Sequence, residues 1–256
     1  MDIEKFTNDF IEQLKKKNVV VFTGAGISTA SGIKDFRGEK GLYKENINAE
    51  TILSHSFFIN NPKEFYKFFR EKLINENIKP NEAHLMISKL EKEGYINSLI
   101  TQNIDNLDKK AQTKNVIELH GNAENFYCTK CNKKYSLKDI INMDTIPLCT
   151  CGSIIRPDIV LYEEQLDMYN LMHAREEIKR AKTLLVIGSS LKVYPAAQLV
   201  HDFIVESRFD KEKKLFIINK GKTDYDGFAK ETKYDGDVIK LTKVLKEKLY
   251  ETKRTR

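Results

Sequence analysis

The chain has 256 residues, with 43 basic against 37 acidic side chains, a net charge of +6, 41% hydrophobic residues and 31% charged ones. That length can bury a full core, so one large domain with a small module is expected. Interleaved charge argues against a dedicated polyanion-binding surface, and no apolar run approaches the roughly 20 residues of a membrane-spanning helix.

Basic runs are short, Lys15-Lys16-Lys17 and the tail Lys253-Arg254-Thr255-Arg256, and read as a solvated helix end and a terminus. The opening Met1-Asp2-Ile3-Glu4-Lys5-Phe6 is acidic and amphipathic rather than a signal peptide, which leads to the expectation of a cytoplasmic protein. Ile3, Phe6, Phe10 and Leu14 share one face of a helix over 3–17. The β-branched run Val19–Phe22 then reads as a buried parallel strand. It runs directly into Thr23-Gly24-Ala25-Gly26-Ile27-Ser28, a glycine turn that lets backbone approach a pyrophosphate at the next helix N-terminus. Thr29 occupies the third glycine position of a dehydrogenase fingerprint, which disfavours that assignment, and Ser31-Gly32-Ile33 and Asp35-Phe36-Arg37 follow.

Residues 38–95 read mostly helical. Pro62 sits in a first turn ahead of Phe65, Phe68, Phe69 and Leu73, and Asn81 caps a helix carrying Leu85, Met86 and Leu90 that Gly94 ends. Strand-like runs recur at Ile96–Thr101, Val116–Leu119, Thr183–Ile187 and Leu215–Ile218. They end in Gln102-Asn103, His120-Gly121, Gly188-Ser189-Ser190 and Asn219-Lys220, with helical patterns at 163–181, 196–206 and 238–251. The alternation predicts an α/β fold, a doubly wound parallel Rossmann-like sheet whose ligands bind beyond the carboxyl ends of the strands. Its parts span about 1–35, 96–121 and 159–256 of one domain over 1–256, with a smaller module from 38–95 and a segment inserted at 122–158.

All four cysteines fall in that insertion, as Cys128-x-x-Cys131 and Cys149-x-Cys151 across a 17-residue spacer. The spacing matches a zinc ribbon, with two disulfides or unrelated buried thiols as the alternatives. Four thiolates leave no open position for water, so such a site is structural. The neighbouring Phe126, Tyr127, Lys130, Lys133, Lys134 and Tyr135 read as a solvated loop in preference to a nucleic-acid surface. His120 is the best general base, since it follows a strand end, and an imidazole with an ordinary pKa of about 6.5 suits proton removal near neutrality. His55, His84, His173 and His201 read as surface or helix packing.

These pieces together resemble the sirtuin family of NAD-dependent protein deacylases. The matching stretches are Gly24–Ser28, Ser31-Gly32-Ile33, Asp35-Phe36-Arg37, Thr101-Gln102-Asn103-Ile104-Asp105, His120-Gly121, the four cysteines, Gly188-Ser189-Ser190-Leu191 and Pro195-Ala196-Ala197. The chain departs from the family pattern at Lys34, where proline is usual, at Asp108, where histidine is common, and at Leu161-Tyr162-Glu163-Glu164, which replaces a Phe-Gly-Glu type segment.

The resemblance implies transfer of an acyl group from protein lysine to ADP-ribose with release of nicotinamide. It places the NAD pyrophosphate on Gly24, Ala25, Gly26 and Ser28, and the nicotinamide against Ile33, Asn103, Ile104 and Asp105, with Gln102 also among the cofactor-binding residues. Asp35, Phe36 and Arg37 would position and shield the ribose. Gly188, Ser189, Ser190, Asn219, Lys220, Asp237 and Val238 would hold the adenosine end, Asn219 being equally readable as a turn residue. Catalysis would fall to His120, Asn103 and Arg37, and the peptide would pair as a strand along Val160, Leu161 and Tyr162. Sirtuins that prefer succinyl-lysine resemble one another in a Tyr-x-x-Arg pair. Here Tyr66 is followed by Phe69 at that position, which predicts neutral acyl groups. The partners implied are acyl-lysine proteins or peptides and neither membrane nor nucleic acid, with a monomer expected. The alternatives are ADP-ribosyl transfer to protein and a non-catalytic NAD sensor.

Overall fold

The structure is a computed structural model and describes residues 1–35, 41, 49–74, 77–143 and 145–251. A six-stranded sheet is formed by β1 (Val19–Thr23), β2 (Ile96–Thr101), β3 (Val116–Glu118), β7 (Thr183–Ile187), β8 (Lys214–Ile218) and β9 (Lys233–Tyr234). Its order is β3-β2-β1-β7-β8-β9 and every pairing is parallel. The chain builds leftward from β1 to β3, then returns to the far side of β1 with β7. The strand order therefore reverses at β1/β7, where parallel α/β sheets open a crevice for ligands.

Ten α-helices accompany the strands among the described residues: α1 (Ile3–Lys15), α2 (Ala49–Ile52), α3 (His55–Asn60), α4 (Pro62–Phe68), α5 (Glu82–Lys92), α6 (Leu107–Lys110), α7 (Leu137–Ile140), α8 (Met168–Arg180), α9 (Ala196–Ser207) and α10 (Val238–Lys246). Period-two alternation in β1 sends Val19 and Val21 to one face, against Phe6 and Phe10 of α1, Ile87 of α5 and Leu241 of α10. Val20 and Phe22 go to the other, against Ile178 of α8 and Val200 and Phe203 of α9. Both faces are covered, which is why the strands read as unbroken apolar runs. The C-terminal carbonyls of α8 meet a buried cation: Lys213 Nζ donates to Lys179 and Ala181 at 2.8 Å and to Ile178 at 3.3 Å.

The cysteine-bearing insertion folds as a three-stranded antiparallel sheet of β4 (Gly121–Cys128), β5 (Lys134–Ser136) and β6 (Ile155–Ile159), in the order β5-β4-β6. An aromatic core of Phe58, Phe65, Tyr66, Phe69 and Phe126 joins it to α3 and α4. Among the described residues no helix is long and apolar enough to cross a membrane.

Candidate active site

The strand-order reversal is where the glycines meet. The Gly24 N–H donates to Ile187 O at 3.0 Å and the Gly26 N–H to Gly188 O at 2.8 Å. A Cβ on Gly26 would lie 2.6 Å from Gly188 Cα, and one on Gly188, whose φ is +63°, only 2.3 Å from Ile27 N. Only glycine permits this backbone-to-backbone approach. The 3₁₀ turn Ala25–Ser31 opens here with no side-chain cap on its first amides. Ser189 Oγ accepts from Gln102 Nε2 at 2.8 Å and from Leu191 N at 3.2 Å, tying the ends of β7 and β2 across β1. Ser190 lies next to it, partly buried. A cradle of bare backbone at a switch point fits a dinucleotide pyrophosphate.

Beside it lies a polar cluster. Asn103, 9% exposed, directs Nδ2 to Gly24 O at 3.3 Å and to Ser28 Oγ at 3.4 Å. Ser28 in turn donates to Asp105 Oδ2 at 2.7 Å, and Leu107 N donates to Asp105 Oδ1 at 2.9 Å. Burial raises the Asp105 carboxyl, and these two hydrogen bonds oppose the rise. Ile33 closes the turn with its amide on Ser28 O at 3.3 Å, and Ile104 O accepts from Ala123 N at 2.9 Å.

The sequence reading missed His84. Its ring is fully buried on α5, with Nδ1 accepting from Asn81 N at 3.3 Å, so the proton of the neutral ring sits on Nε2, 3.4 Å from Ser28 Oγ. Burial lowers its pKa to about 4, which keeps it neutral. A relay of Asn81, His84, Ser28 and Asp105 thus orients the carboxylate. The visible signal was Asn81 with His84 three residues on, a helix-capping pattern whose reach to Ser28 is tertiary.

His120 follows β3 and is partly buried. Nδ1 lies 2.8 Å from Gln102 O, and because a carbonyl only accepts, Nδ1 carries the proton and Nε2 holds the free lone pair. Burial lowers the ring's pKa, with the Gln102 bond opposing.

The segment expected to pair with peptide is anchored on both sides. Val160 N donates to His120 O at 2.9 Å, Tyr162 N to Leu53 O at 2.9 Å, and His55 N to Tyr162 O at 3.0 Å. Leu161 N goes to Glu164 Oε2 at 2.9 Å and Leu161 O accepts from Glu164 N at 3.1 Å. Most main-chain groups of Val160–Tyr162 are therefore already engaged within the protein. Glu164 is clamped by Arg156 through Nη1 at 2.7 Å and Nη2 at 2.9 Å.

Tyr66 and Phe69 are fully buried in the aromatic core, where the Tyr66 hydroxyl donates to Ile155 O and Phe69 stacks on Phe65 with ring centroids 5.8 Å apart. The structure does not bring these two side chains to the surface of the cleft. Arg70 turns to the carbonyls of Thr145 at 3.2 Å and Met143 at 3.3 Å. At the adenosine end, Asn219 Nδ2 points to its own turn, at Lys220 O and Gly221 O, beside exposed Lys220. Asp237 caps α10 through Ile239 N at 2.7 Å, with Val238 the first residue of that helix. Asp35 is partly buried, while Phe36 and Arg37 lie outside the described residues.

The four cysteines converge, with all four Sγ atoms within 4.8 Å of one another. Cys128 and Cys151 are 3.4 Å apart, Cys131 and Cys149 3.6 Å, and none forms a disulfide. Thiolates 2.3 Å from a tetrahedral zinc stand about 3.8 Å apart, so the cluster fits that ion. The Tyr135 hydroxyl donates to Cys149 Sγ at 3.1 Å, and the amides of Lys130 and Cys131 approach Cys128 Sγ, as outer partners of a metal site do.

Comparison with known proteins gives a consistent picture. A family model described as the Sir2 family matches residues 24–195. An NAD-dependent protein deacetylase of Clostridium tetani is 46% identical over 232 residues, covering 88% of this chain and 90% of the relative. One of Thermotoga maritima is 42% identical over 245 residues, covering 93% and 96%. A solved Sir2 complex with a p53 peptide and NAD+ superposes with a TM-score of 0.84 at 42% identity, covering 94% of this chain and 97% of that one. A Sir2 variant with deacetylated p53 peptide and 3'-O-acetyl ADP ribose gives a TM-score of 0.87 at 42% identity, with the same coverage.

Proposed function

This chain belongs to the Sir2 family, and from that premise we propose how its residues share the work of an NAD-dependent protein deacetylase. Bound NAD would supply an electrophilic ribose carbon with nicotinamide as leaving group. The Gly24–Gly26 turn and Gly188, with no side chains in the way, let the pyrophosphate approach the backbone. Asp105, oriented by Ser28 and the Leu107 amide, accepts from the nicotinamide carboxamide, and Asn103 keeps the pocket polar at its floor. Phe36 and Arg37 shield and position the ribose. His120 Nε2 takes the proton of a ribose hydroxyl. The Cys128, Cys131, Cys149 and Cys151 thiolates hold one structural zinc, and free thiols with ligand spacing support a reducing, cytoplasmic location.

The observation that supports this reading most directly is the His120 tautomer. The Gln102 carbonyl fixes the proton on Nδ1 and leaves Nε2 a base, one strand away from Asp105. The acyl group removed is neutral, because Phe69 stands where a Tyr-x-x-Arg pair has its arginine and Arg70, the next residue, is engaged with the carbonyls of Thr145 and Met143. Substrate peptide lies as an extended strand between the Val160–Tyr162 segment and the loop after Ser190, most main-chain groups of the first being already bonded within the protein.

Incubation with NAD and a panel of acyl-lysine peptides tests this. Free lysine peptide, nicotinamide and O-acetyl-ADP-ribose are expected, with kcat falling about 100-fold or more in His120→Ala. An ADP-ribosylated protein without free O-acetyl-ADP-ribose would establish the transferase reading instead. Succinyl turnover above acetyl turnover would overturn the acyl preference.

A further inference from the structure

The loop that carries Ile104 and Asp105 enters α6 through Asn106, whose backbone is left-handed at φ +61°. Asparagine tolerates this region better than most residues but still pays for it in strain. Asn106 also flanks the first turn of α6, where an asparagine ordinarily spends its side chain on the helix amides. Here it forms no such cap. Its amide turns to β4 instead: Nδ2 donates to Glu124 Oε2 at 2.6 Å, and Oδ1 accepts from Asn122 Nδ2 at 3.0 Å. The first amide of α6, that of Leu107, is left to Asp105 Oδ1 at 2.9 Å.

Asn122 is the hub of this arrangement. It is 4% exposed in β4, two residues beyond His120. Its two amide protons go to different elements, one to Asn106 and one to Glu118 Oε1 of β3 at 2.8 Å. Its Oδ1 accepts from Glu124 N at 2.8 Å. The carboxylates around it are held in turn by lysines of α6, Glu118 by Lys109 at 2.8 Å and Glu124 by Lys110 at 2.5 Å. The next residue, Ala123, donates its N–H to Ile104 O at 2.9 Å. The loop is therefore pinned to β4 on both sides of Asp105, by backbone at Ile104 and by the Asn122 side chain at Asn106. A buried amide with every bond made offers its neighbours one arrangement, and truncating it strands several polar partners at once.

We infer that Asn122 is a positioning residue of the nicotinamide pocket: acting through Asn106, it sets where Asp105 stands relative to His120. The inference rests on the Sir2 reading for the identity of the ligand. Asp105 immediately precedes Asn106, and His120 lies between Glu118 and Asn122, so one side chain holds the loop and the end of β3 in a common frame. Without it the strain at Asn106 is no longer offset, the turn from Asp105 to Leu107 relaxes, and the Asp105 carboxylate loses the Leu107 amide.

Amide hydrogen exchange on the ligand-free full chain reads that turn directly. The Leu107 N–H should exchange about tenfold or more faster in Asn122→Ala than in the wild type. Ser98→Ala removes a buried hydroxyl that donates to Glu177 at 2.8 Å, at the other end of β2, and should leave Leu107 exchange unchanged. In steady-state kinetics Asn122→Ala should weaken inhibition by nicotinamide about tenfold and raise KM for NAD, with KM for acetyl peptide within about twofold. Ser98→Ala, destabilised in the same way, should show neither kinetic change. Asn106→Gly accepts φ +61° without strain but offers Asn122 no oxygen, so it should reproduce the faster exchange and the weaker inhibition. Adding Asn122→Ala to it should change neither any further, because the first residue acts through the second. Unchanged Leu107 exchange in Asn122→Ala, or additive effects in the double variant, would overturn the inference. A wild type that neither binds NAD nor responds to nicotinamide would refute the Sir2 reading instead, and the ligand-free exchange would still decide whether Asn122 holds the loop.

Discussion

Replacing Glu164 with glutamine probes how the Val160–Tyr162 segment, the proposed peptide-binding strand, is held. Glu164 accepts from Arg156 twice, from the Leu161 amide, and from His55 Nδ1 at 2.8 Å, while Arg156 is 9% exposed and lies over the rings of Phe58 and Tyr127. Burial raises the carboxyl, but the Arg156 and Leu161 hydrogen bonds outweigh it and hold the pKa down to about 2. Because the folded pKa lies below the unfolded one, the stabilisation is complete above pH about 4.5 and drains away as pH falls towards about 2. At about 1.4 kcal/mol per unit, and discounted for the solvent that still screens the carboxylate, the pair contributes about 2–3 kcal/mol at pH 7 and about 1 kcal/mol at pH 3. Glu164→Gln should therefore lower Tm by about 4–10 °C at pH 7. Its KM for acetyl peptide should rise more than its KM for NAD, because Leu161 loses its anchor. Urea denaturation of wild type and variant between pH 7 and 3 is the assay. A deficit below about 1 kcal/mol at pH 7, or one that does not shrink on acidification, would refute the reasoning.

Burial lowers the His120 pKa, so the acid limb of kcat should fall below the usual imidazole value of about 6.5, and a limb at or above it would count against His120 as the base. Metal analysis should find one zinc per chain, and Cys151→Ser should lower both zinc content and Tm; a zinc-free, fully stable wild type would sink the ribbon assignment. Gly26→Ala drives a Cβ to 2.6 Å from Gly188 Cα and should cost about 2 kcal/mol or more together with NAD affinity. Gly227→Ala, which meets nothing within 4 Å, should be silent by the same denaturation and binding assays.

Five of the six sheet strands were legible because each is an apolar run ending at a polar turn, and both faces of the sheet are covered. β9 escaped notice, being only Lys233-Tyr234 and polar in part. The small antiparallel sheet escaped too, since the register shift between Asn122 and Phe126 breaks the alternation that would mark β4. The side chains at strand ends were legible as residue types, and their partners were not. Asn219 and Asp237 suit a ribose or a turn equally well by composition, and the structure turns both to local backbone. Tyr66 and Phe69 face inward because α4 buries its aromatic stripe against Phe126 and Ile155, a contact that no local pattern reports.

What decides the site is register. β1 and β2 pair with Thr23 opposite Thr101, which brings the two hydroxyls to 2.8 Å and sets the second to accept from the Asn103 amide at 3.1 Å. β2 and β3 pair with Thr101 opposite Glu118, so the residue two steps beyond Glu118, His120, arrives at the carbonyl one step beyond Thr101, that of Gln102. Shifting β3 by one residue would exchange its faces and carry the imidazole away from that carbonyl, leaving its tautomer unfixed. The proposed base, His120, therefore owes its free Nε2 to strand pairing among Leu99, Ile100 and Thr101 with Val116, Ile117 and Glu118. Substitutions that weaken this pairing, far from any reacting atom, should lower kcat before they raise KM.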